Sequence, residues 1–509
     1  MSRAHTTALV AATCLVSVYT GPALAVGPIP NTPAPGQFAV PVVRASGMVA
    51  PVGMAVDPTN TGRYFIWDQA GQVRVYQGGS LLAAPALDLV ATSKLIPLSA
   101  GYDERGLLGF AFDPGFANAA SPGYQRVWTY YTAPVANAAR PSDYTIPFPG
   151  TTLNNQGVVA SFKIDPADPT KILPGTENAI LRLDHPSLNH DGGSIGFGPD
   201  GNLYVGIGDG GGANDRGNGH NPYTPPGATQ NVGNAQDTSI FMGKILRLDV
   251  NGTNAPNGKY GIPADNPFAT TNDANNPGQD PSLPTRPSQK EIYAWGVRNP
   301  FNFHFSDGRL LLGEVGQNNV EEIDEVFKGK NYGWHQLEGT FVFNALSPGT
   351  VATDTGNAVA NSIPNYVGPL KQYDHDEGVA VLGGFIYHGT QFPQLVGKYV
   401  FGDFGKSTSL QDAGPNQTGR IFYADLADGQ VNQFNEFTLA GGTLNQIIKG
   451  MAEGPNGEIY LLTSLKLGPS TAFTTGMMVE LVAPEPSSVA LLGLGAVGLL
   501  RRTRRSMAT

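Results

Sequence analysis

Ile195-Gly-Phe-Gly-Pro-Asp-Gly-Asn-Leu-Tyr-Val205 runs from an apolar segment through a Pro/Asp/Gly turn into a second β-rich segment. It reads as two antiparallel strands joined at an Asp-Gly hairpin. The unit recurs. Upstream stand Gly53-Met-Ala-Val-Asp-Pro, leading to Tyr64-Phe-Ile-Trp, and Leu108-Gly-Phe-Ala-Phe-Asp-Pro, leading to Val127-Trp-Thr-Tyr-Tyr. Downstream stand Phe301-Asn-Phe-His-Phe-Ser-Asp-Gly-Arg-Leu-Leu-Leu and Met451-Ala-Glu-Gly-Pro-Asn-Gly-Glu-Ile-Tyr-Leu-Leu. A looser copy links Gly384-Phe-Ile-Tyr-His-Gly to Tyr399-Val-Phe-Gly-Asp-Phe. Six copies predict an all-β, six-bladed β-propeller, in which radial repetition protects the sheet edges. Each copy commands about 76 residues, well above the ~40–45 of a minimal blade. The excess must lie in long inter-strand loops, for which 134–157, 210–237, 251–289 and 339–372 are the candidates.

Composition agrees. Of 509 residues, 66 are Gly and 41 are Pro, while only 14% are charged. That balance excludes coiled coils and Lys/Glu-rich helical arrays. Hydrophobic residues at 40% supply enough material for a large core. A net charge of −10 argues against nucleic-acid binding, which needs a concentrated basic surface. The single cysteine, Cys14, permits no internal disulfide.

Both termini read as addresses. Arg3, an apolar stretch from Ala8 to Val18 and Ala23-Leu24-Ala25 form a signal peptide over 1–25, which carries Cys14 away with it. A Pro-rich segment, 26–48, precedes the propeller at 49–482. Residues 483–509 hold Pro484-Glu485-Pro486, an uncharged run from Val489 to Leu500 and an Arg cluster from Arg501 to Arg505. That run spans only about 18 Å as a helix, short of a ~30 Å hydrocarbon core. The tripartite order resembles the PEP-CTERM sorting signal of Gram-negative bacteria. It implies processing by signal peptidase and exosortase, and export to the periplasm, cell surface or extracellular matrix.

Among the histidines, His190 stands in Leu188-Asn-His-Asp-Gly-Gly-Ser, a Gly-flanked turn just before an inner strand. The position suits a general base, and equally a structural hydrogen-bonding histidine. His304 alternates with Phe303 and Phe305 and reads as structural, as do His335, His375 and His388. Arg298-Asn-Pro also precedes an inner strand, where an arginine can hold a carboxylate or stabilise an oxyanion, or form an inter-blade ion pair. Glu314-Val-Gly-Gln-Asn-Asn-Val-Glu-Glu-Ile-Asp-Glu is a carboxylate-rich turn suited to Ca²⁺ rather than Zn²⁺. Asp209, Asp215 and their glycines read as another Ca²⁺ loop or as a solvated turn.

In order, Glu104-Arg-Gly-Leu-Leu-Gly, His190-Asp-Gly-Gly, Ile207-Gly-Asp-Gly-Gly, Gly243-Lys-Ile-Leu-Arg-Leu and Trp295-Gly-Val-Arg-Asn-Pro resemble the soluble PQQ-dependent glucose/sorbosone (aldose sugar) dehydrogenase family. Gly316-Gln-Asn, Asn331-Tyr-Gly-Trp and Tyr399-Val-Phe-Gly-Asp-Phe extend the likeness. The resemblance implies oxidation of an aldose or oligosaccharide by hydride transfer to PQQ, with an electron acceptor it does not identify. It assigns His190 as base, Arg298 to the quinone oxygens and Asn299 to the cofactor. It implies a cofactor Ca²⁺ at the backbone of Gly316 and Gln317, where Gln317 replaces a Pro. Glu322 and the carbonyl of Tyr332 would ligate a second, structural Ca²⁺. Glu104 matches a substrate-contacting Gln, and Asn189 replaces an Asp beside the base. PQQ carries three carboxylates. The family's paired arginines reduce here to Lys449, with Lys406 as the second cation. Two other readings compete: a non-catalytic surface propeller that binds polysaccharide, and a metal-dependent lactonase-like hydrolase.

Overall fold

The computed structural model describes residues 28–484, apart from 30–32, 227, 229, 271–285, 407–411 and 414–416. The expected signal peptide lies outside the described residues, as does nearly all of the C-terminal sorting segment. The described chain is almost all-β, with only three short 3-10 turns among its strands. No helix among the described residues is long and apolar enough to cross a membrane.

Each repeated unit is an antiparallel strand pair. Ile195–Phe197 pairs with Leu203–Ile207, with Gly201 at φ +78° in the turn. Pro300–Ser306 pairs with Arg309–Glu314 across a tight turn in which Asp307 (φ +51°) and Gly308 (φ +74°) are both left-handed. That combination matches the right-handed twist of the strands it joins. Pro51–Asp57, Leu107–Phe112, Val381–Ile386 and Ile447–Glu453 open the other four pairs.

Three of these pairs grow into four-stranded sheets. One sheet runs Leu107–Phe112, Arg126–Ala133, Asn155–Ile164, Ile172–His185. Another adds Lys244–Leu248 and Ile292–Trp295 to the 195–207 pair. A third adds Val320–Glu325 and Lys371–Asp374 to the 300–314 pair. The pair opened by Pro51–Asp57 extends through Gln72–Gln77. The last two pairs belong to one eight-stranded sheet, because Ala34–Met48 bridges them. This strand lies parallel to Asn435–Leu439 through its first half and antiparallel to Gly476–Val482 through its second. The segment 26–48, expected as a Pro-rich leader, therefore contains a structural strand that clasps the two ends of the chain together. Proline is tolerated there: Pro35 borders a register shift, and Val40 to Val43 still pair with the strand Gly476–Val482.

The six opening strands touch one another in chain order, and Ile447–Glu453 returns to Pro51–Asp57 to complete a ring. Apolar clusters fill the spaces between sheets. Trp128, Tyr130, Leu203 and Leu246 share one cluster, while Tyr373, Phe401, Phe422 and Phe434 share another. Of the expected long loops, 210–237 is folded rather than loose: Asp215, Asn221, Asn234 and Asp237 in it are fully buried.

Candidate active site

Turns that precede opening strands, the turn after Arg309–Glu314 and the strand Ile447–Glu453 deliver their side chains to one cavity. It encloses about 870 Å³ of empty space, mouth included, and is lined by Glu104, His190, Arg298, Asn299, Gly316, Gln317 and Lys449 among others. These seven come from five separate stretches of chain between residues 104 and 449.

His190 is held on every side. Its backbone adopts φ +57°, a conformation costly for a non-glycine residue. Its N–H donates to Glu104 Oε2 at 2.6 Å, and its carbonyl lies 3.1 Å from His185 Nε2. Gly208 packs so tightly below that a Cβ there would stand 1.9 Å from the His190 carbonyl oxygen. The imidazole Nδ1 meets Asp209 Oδ1 at 2.7 Å, which leaves Nε2 for the cavity. Asp209 is itself fixed by Gly211 N–H at 3.0 Å and Trp334 Nε1 at 2.8 Å. Burial alone would raise the Asp209 carboxyl, but the charge and hydrogen bond of His190, with His220 and Arg298 beyond, hold it well below the usual range. A carboxylate that orients an imidazole through Nδ1 is the standard way to present Nε2 as a base. Sequence reading offered Asp209 as a calcium or solvated-turn residue. It is 1% exposed and serves the histidine. Asp215 is no solvated turn either: it accepts Asn234 N–H at 2.6 Å and Ala235 N–H at 3.0 Å.

Glu104 sits on a rigid turn. Arg105 pairs bidentately with Asp103, at 2.9 and 2.7 Å, and Gln69 Nε2 donates to the carbonyls of Asp103 and Arg105. From that turn Glu104 Oε2 also accepts Asn299 Nδ2 at 3.0 Å, and its other oxygen accepts the Tyr102 hydroxyl. Glu104 thus ties His190 and Asn299 together.

Arg298 reaches across the cavity floor. Its Nη1 donates to the carbonyls of Val315 (3.0 Å) and Gly316 (2.6 Å), its Nε to Gln317 Oε1 (3.3 Å), and its guanidinium stacks 5.5 Å from the Trp334 ring centre. Lys449, 7% exposed, donates to the Leu467 carbonyl at 2.6 Å. Burial pulls its ammonium down to about 8, partly offset by Asp68, Glu104 and Asp412.

Four predicted site residues lie elsewhere. Lys406 is exposed and outside the cavity lining. Phe404, two residues earlier, lines the cavity instead, its ring centre 5.6 Å from Lys449 Nζ. Asn189 is turned away, its Oδ1 accepting Ser187 Oγ at 2.6 Å and Gly212 N–H at 3.2 Å, so it clamps a loop. Glu322 and Tyr332 stand behind the cavity floor with Glu314 and Asp324, all buried. Glu314 Oε1 accepts the N–H groups of Arg298 (2.5 Å) and Asn299 (2.9 Å), while its Oε2 and both oxygens of Asp324 have no hydrogen-bond partner among the described residues. Burial raises all three carboxyls, Asp324 to about 8, and their mutual repulsion adds to the rise in Glu314 and Glu322. Among the described residues, no three His, Cys, Asp or Glu side chains already converge on a metal position. His304 is structural, as expected: it lies within Pro300–Ser306, and burial pushes its imidazole down to about 4.

Asp209, Glu314 and Trp334 belong to the arrangement without having been among the expected site residues. Each stood inside a quoted motif, yet only the fold shows what it touches.

The sequence profile described as Glucose / Sorbosone dehydrogenase matches residues 48–470, and that of the PEP-CTERM protein-sorting motif matches 482–505. The chain is 29% identical to the HIPL1 protein of Arabidopsis thaliana, over 81% of this chain and 60% of that one. It is 26% identical to the Hedgehog-interacting protein of Homo sapiens, over 86% and 52%. It spans about half the length of these curated relatives. Aldose sugar dehydrogenase YliI of Escherichia coli is 24% identical, over 82% and 88%. Among solved structures, the fold is similar to the PQQ-bound aldose sugar dehydrogenase of Streptomyces coelicolor, with a TM-score of 0.54 and 19% identity over 88% of this chain and 99% of that one.

Proposed function

Because the chain belongs to the glucose/sorbosone dehydrogenase family, we propose that it is an exported PQQ-dependent sugar dehydrogenase that oxidises the anomeric carbon of aldoses to lactones. The ring of six opening strands supports a six-bladed propeller over 49–482 whose channel mouth is this cavity. The observation that carries the reading is the convergence of the Asp209-oriented His190 with Arg298, Asn299 and Lys449 around one space.

The residues fit the cofactor. A tricarboxylate asks for cations and amides, and the cavity offers Arg298, Lys449 and Asn299, whose Oδ1 is buried without a partner. When bound, PQQ would supply a quinone that accepts hydride; the backbone of Gly316 and Gln317 would hold the accompanying Ca²⁺, with the Gly316 carbonyl shared with Arg298. His190 Nε2 takes the proton of the anomeric hydroxyl as the carbon–hydrogen bond breaks. Asp209 stabilises the imidazolium that results. Arg298 supplies fixed positive charge where negative charge develops. Glu104 holds base and amide at a set spacing. Glu314, Glu322, Asp324 and the Tyr332 carbonyl would hold the structural Ca²⁺, and the orphaned oxygens of Glu314 and Asp324 are its support. Signal peptidase and exosortase would process the two ends, in keeping with the sorting motif.

Titrating the protein with PQQ by absorbance, with and without Ca²⁺, and then assaying a sugar panel with an artificial electron acceptor tests the reading. Saturable binding with turnover is expected; no cofactor-dependent turnover on any sugar rejects it. Polysaccharide binding without PQQ binding would favour a non-catalytic propeller. A lactonase-like site gains nothing: the acids lining the cavity are Asp103 and Glu104, the first paired to Arg105 and the second to His190, Asn299 and Tyr102.

Two pH effects follow. Lys449 is charged below about 8 and neutral above, so PQQ affinity is full near neutrality and falls as pH rises through that value. Lys449→Met binds more weakly and flattens the profile, measured as Kd against pH. The buried acids behave oppositely from ordinary carboxylates. Asp324 holds its proton up to about 8 in the folded state, whereas an unfolded Asp releases it near 3.9. The metal-free protein therefore loses stability as pH rises from about 4 through 8. Ca²⁺ should raise Tm more at pH 8 than at pH 5, and Asp324→Asn should shrink that gain; equal gains at both pH values would contradict the assignment.

A further inference from the structure

The turn over 316–320 has two opposite faces. On one, its N–H groups converge on acids. Glu338 Oε1 accepts four of them in succession, from Gln317 (2.7 Å), Asn318 (2.9 Å), Asn319 (2.9 Å) and Val320 (3.2 Å). Its Oε2 accepts Asn319 Nδ2 at 2.8 Å, and the N–H of Gly316 goes to Glu321 Oε2 at 3.3 Å. Each of these partners is a donor, which suits the acceptor-only carboxylate form. Both acids are buried.

The other face follows from peptide geometry. A trans peptide group is planar and directs its N–H and C=O to opposite sides. The unit joining Gly316 to Gln317 has its N–H on Glu338 and its C=O on Arg298 Nη1, at 2.6 Å. The unit before it has its N–H on Glu321 and the Val315 carbonyl on the same Arg298 nitrogen, at 3.0 Å. The unit after it, held by the Asn318 N–H, sends the Gln317 carbonyl away from Glu338. Val315, Gly316 and Gln317 line the cavity, whereas Glu338 does not. Acids behind the turn therefore set the carbonyls in front of it. The turn is tight: a Cβ at Gly316 would stand 1.9 Å from the Val320 carbonyl oxygen.

Glu338 belongs to a small three-stranded sheet, Leu337–Glu338, Phe341–Phe343 and Val351–Thr353, most of which falls in the stretch expected as a long loop over 339–372. From the same excursion the Pro348 carbonyl accepts Asn318 Nδ2 at 3.0 Å and Asn319 Nδ2 at 3.1 Å. The excursion is the bed on which the turn lies. Successive N–H groups that converge make an anion-binding concavity. Here the chain fills it with its own carboxylate, whose buried charge polarises the peptide groups it binds. That deepens the negative potential at their carbonyl oxygens.

We propose that Glu338 is a positioning residue for the cavity Ca²⁺: by capping the N–H side of 317–320 it presets the Gly316 and Gln317 carbonyls for the cation. The inference rests on the dehydrogenase reading, which puts a Ca²⁺ at that backbone.

Amide hydrogen exchange and Ca²⁺ titration of the full chain test it. In the metal-free wild type the amides of 317–320 should exchange slowly, with little further slowing when Ca²⁺ and PQQ are added. Fast exchange that only Ca²⁺ slows overturns the presetting. This arm needs no variant, so it decides even where a substitution prevents folding. Glu338→Gln keeps the volume, removes the charge and brings its new amide N–H₂ against Asn319 Nδ2, donor to donor. Exchange at 317–320 should quicken, and the Ca²⁺ concentration that half-produces the PQQ absorbance change should rise, each by about tenfold or more. Saturating Ca²⁺ should restore wild-type PQQ affinity to Glu338→Gln, a recovery that a damaged fold would not give. Equal half-saturation by Ca²⁺ in both proteins overturns the role of Glu338 alone. A wild type without any Ca²⁺-dependent absorbance change overturns the dehydrogenase reading together with it.

Discussion

Replacing His190 by alanine lowers cofactor-dependent sugar oxidation by about 10²–10⁴-fold, the range expected for loss of a positioned general base. PQQ binding, read by absorbance titration, should change little, because the residues proposed to hold the cofactor lie on other turns. Asp209→Asn is the sharper test of the mechanism. The amide keeps the volume but cannot enforce Nδ1–H on His190, so the wrong tautomer competes and Nε2 loses its lone pair. A loss of about 10²-fold or more in kcat, with KM nearly constant, is expected. Full activity in Asp209→Asn would show that the 2.7 Å contact is structural only.

Arg298→Ala should weaken PQQ by about 30- to 5,000-fold, the 2–5 kcal/mol typical when one member of a desolvated charge pair is removed. The side chain is 7% exposed and bonds the carbonyls of Val315 and Gly316 as well as facing the cavity. Its loss removes a cation and loosens the turn that carries Gly316 and Gln317. Arg298→Lys should recover little, since an ammonium cannot bridge two carbonyls and an amide while stacking on Trp334. The measurement is the Kd for PQQ at fixed Ca²⁺, with Tm recorded to separate unfolding from weak binding. An Arg298→Lys protein that binds PQQ as tightly as wild type would show that charge alone is required.

Much of this was legible before folding. The alternation of apolar residues with period 2 and the Asp-Gly and Asn-Gly turns give the six strand pairs directly, because hairpin chemistry is local. The motifs around residues 104, 190, 298, 316 and 449 pointed to seven residues that do share one cavity. Local reading failed where a side chain's direction depends on a distant partner. Asn189 and His190 are adjacent, yet the positive φ at 190 sends the imidazole to Asp209 and the amide to Gly212. Lys406 reads as the second cation for the cofactor, but it is exposed and Phe404 lines the cavity instead. The role of Ala34–Met48 was also hidden, since its partners lie some 400 residues away.

By itself the sequence determined that the described chain is almost all-β, that its strand pairs repeat, and which turns hold the candidate site residues, since strand alternation and hairpin residues act over a few positions. Only the tertiary structure decided which of those turns face one another. Asp209 became the partner of His190, and Glu314 became the hinge between cavity and buried acids, because the ring of strands brings together groups that no spacing along the chain relates.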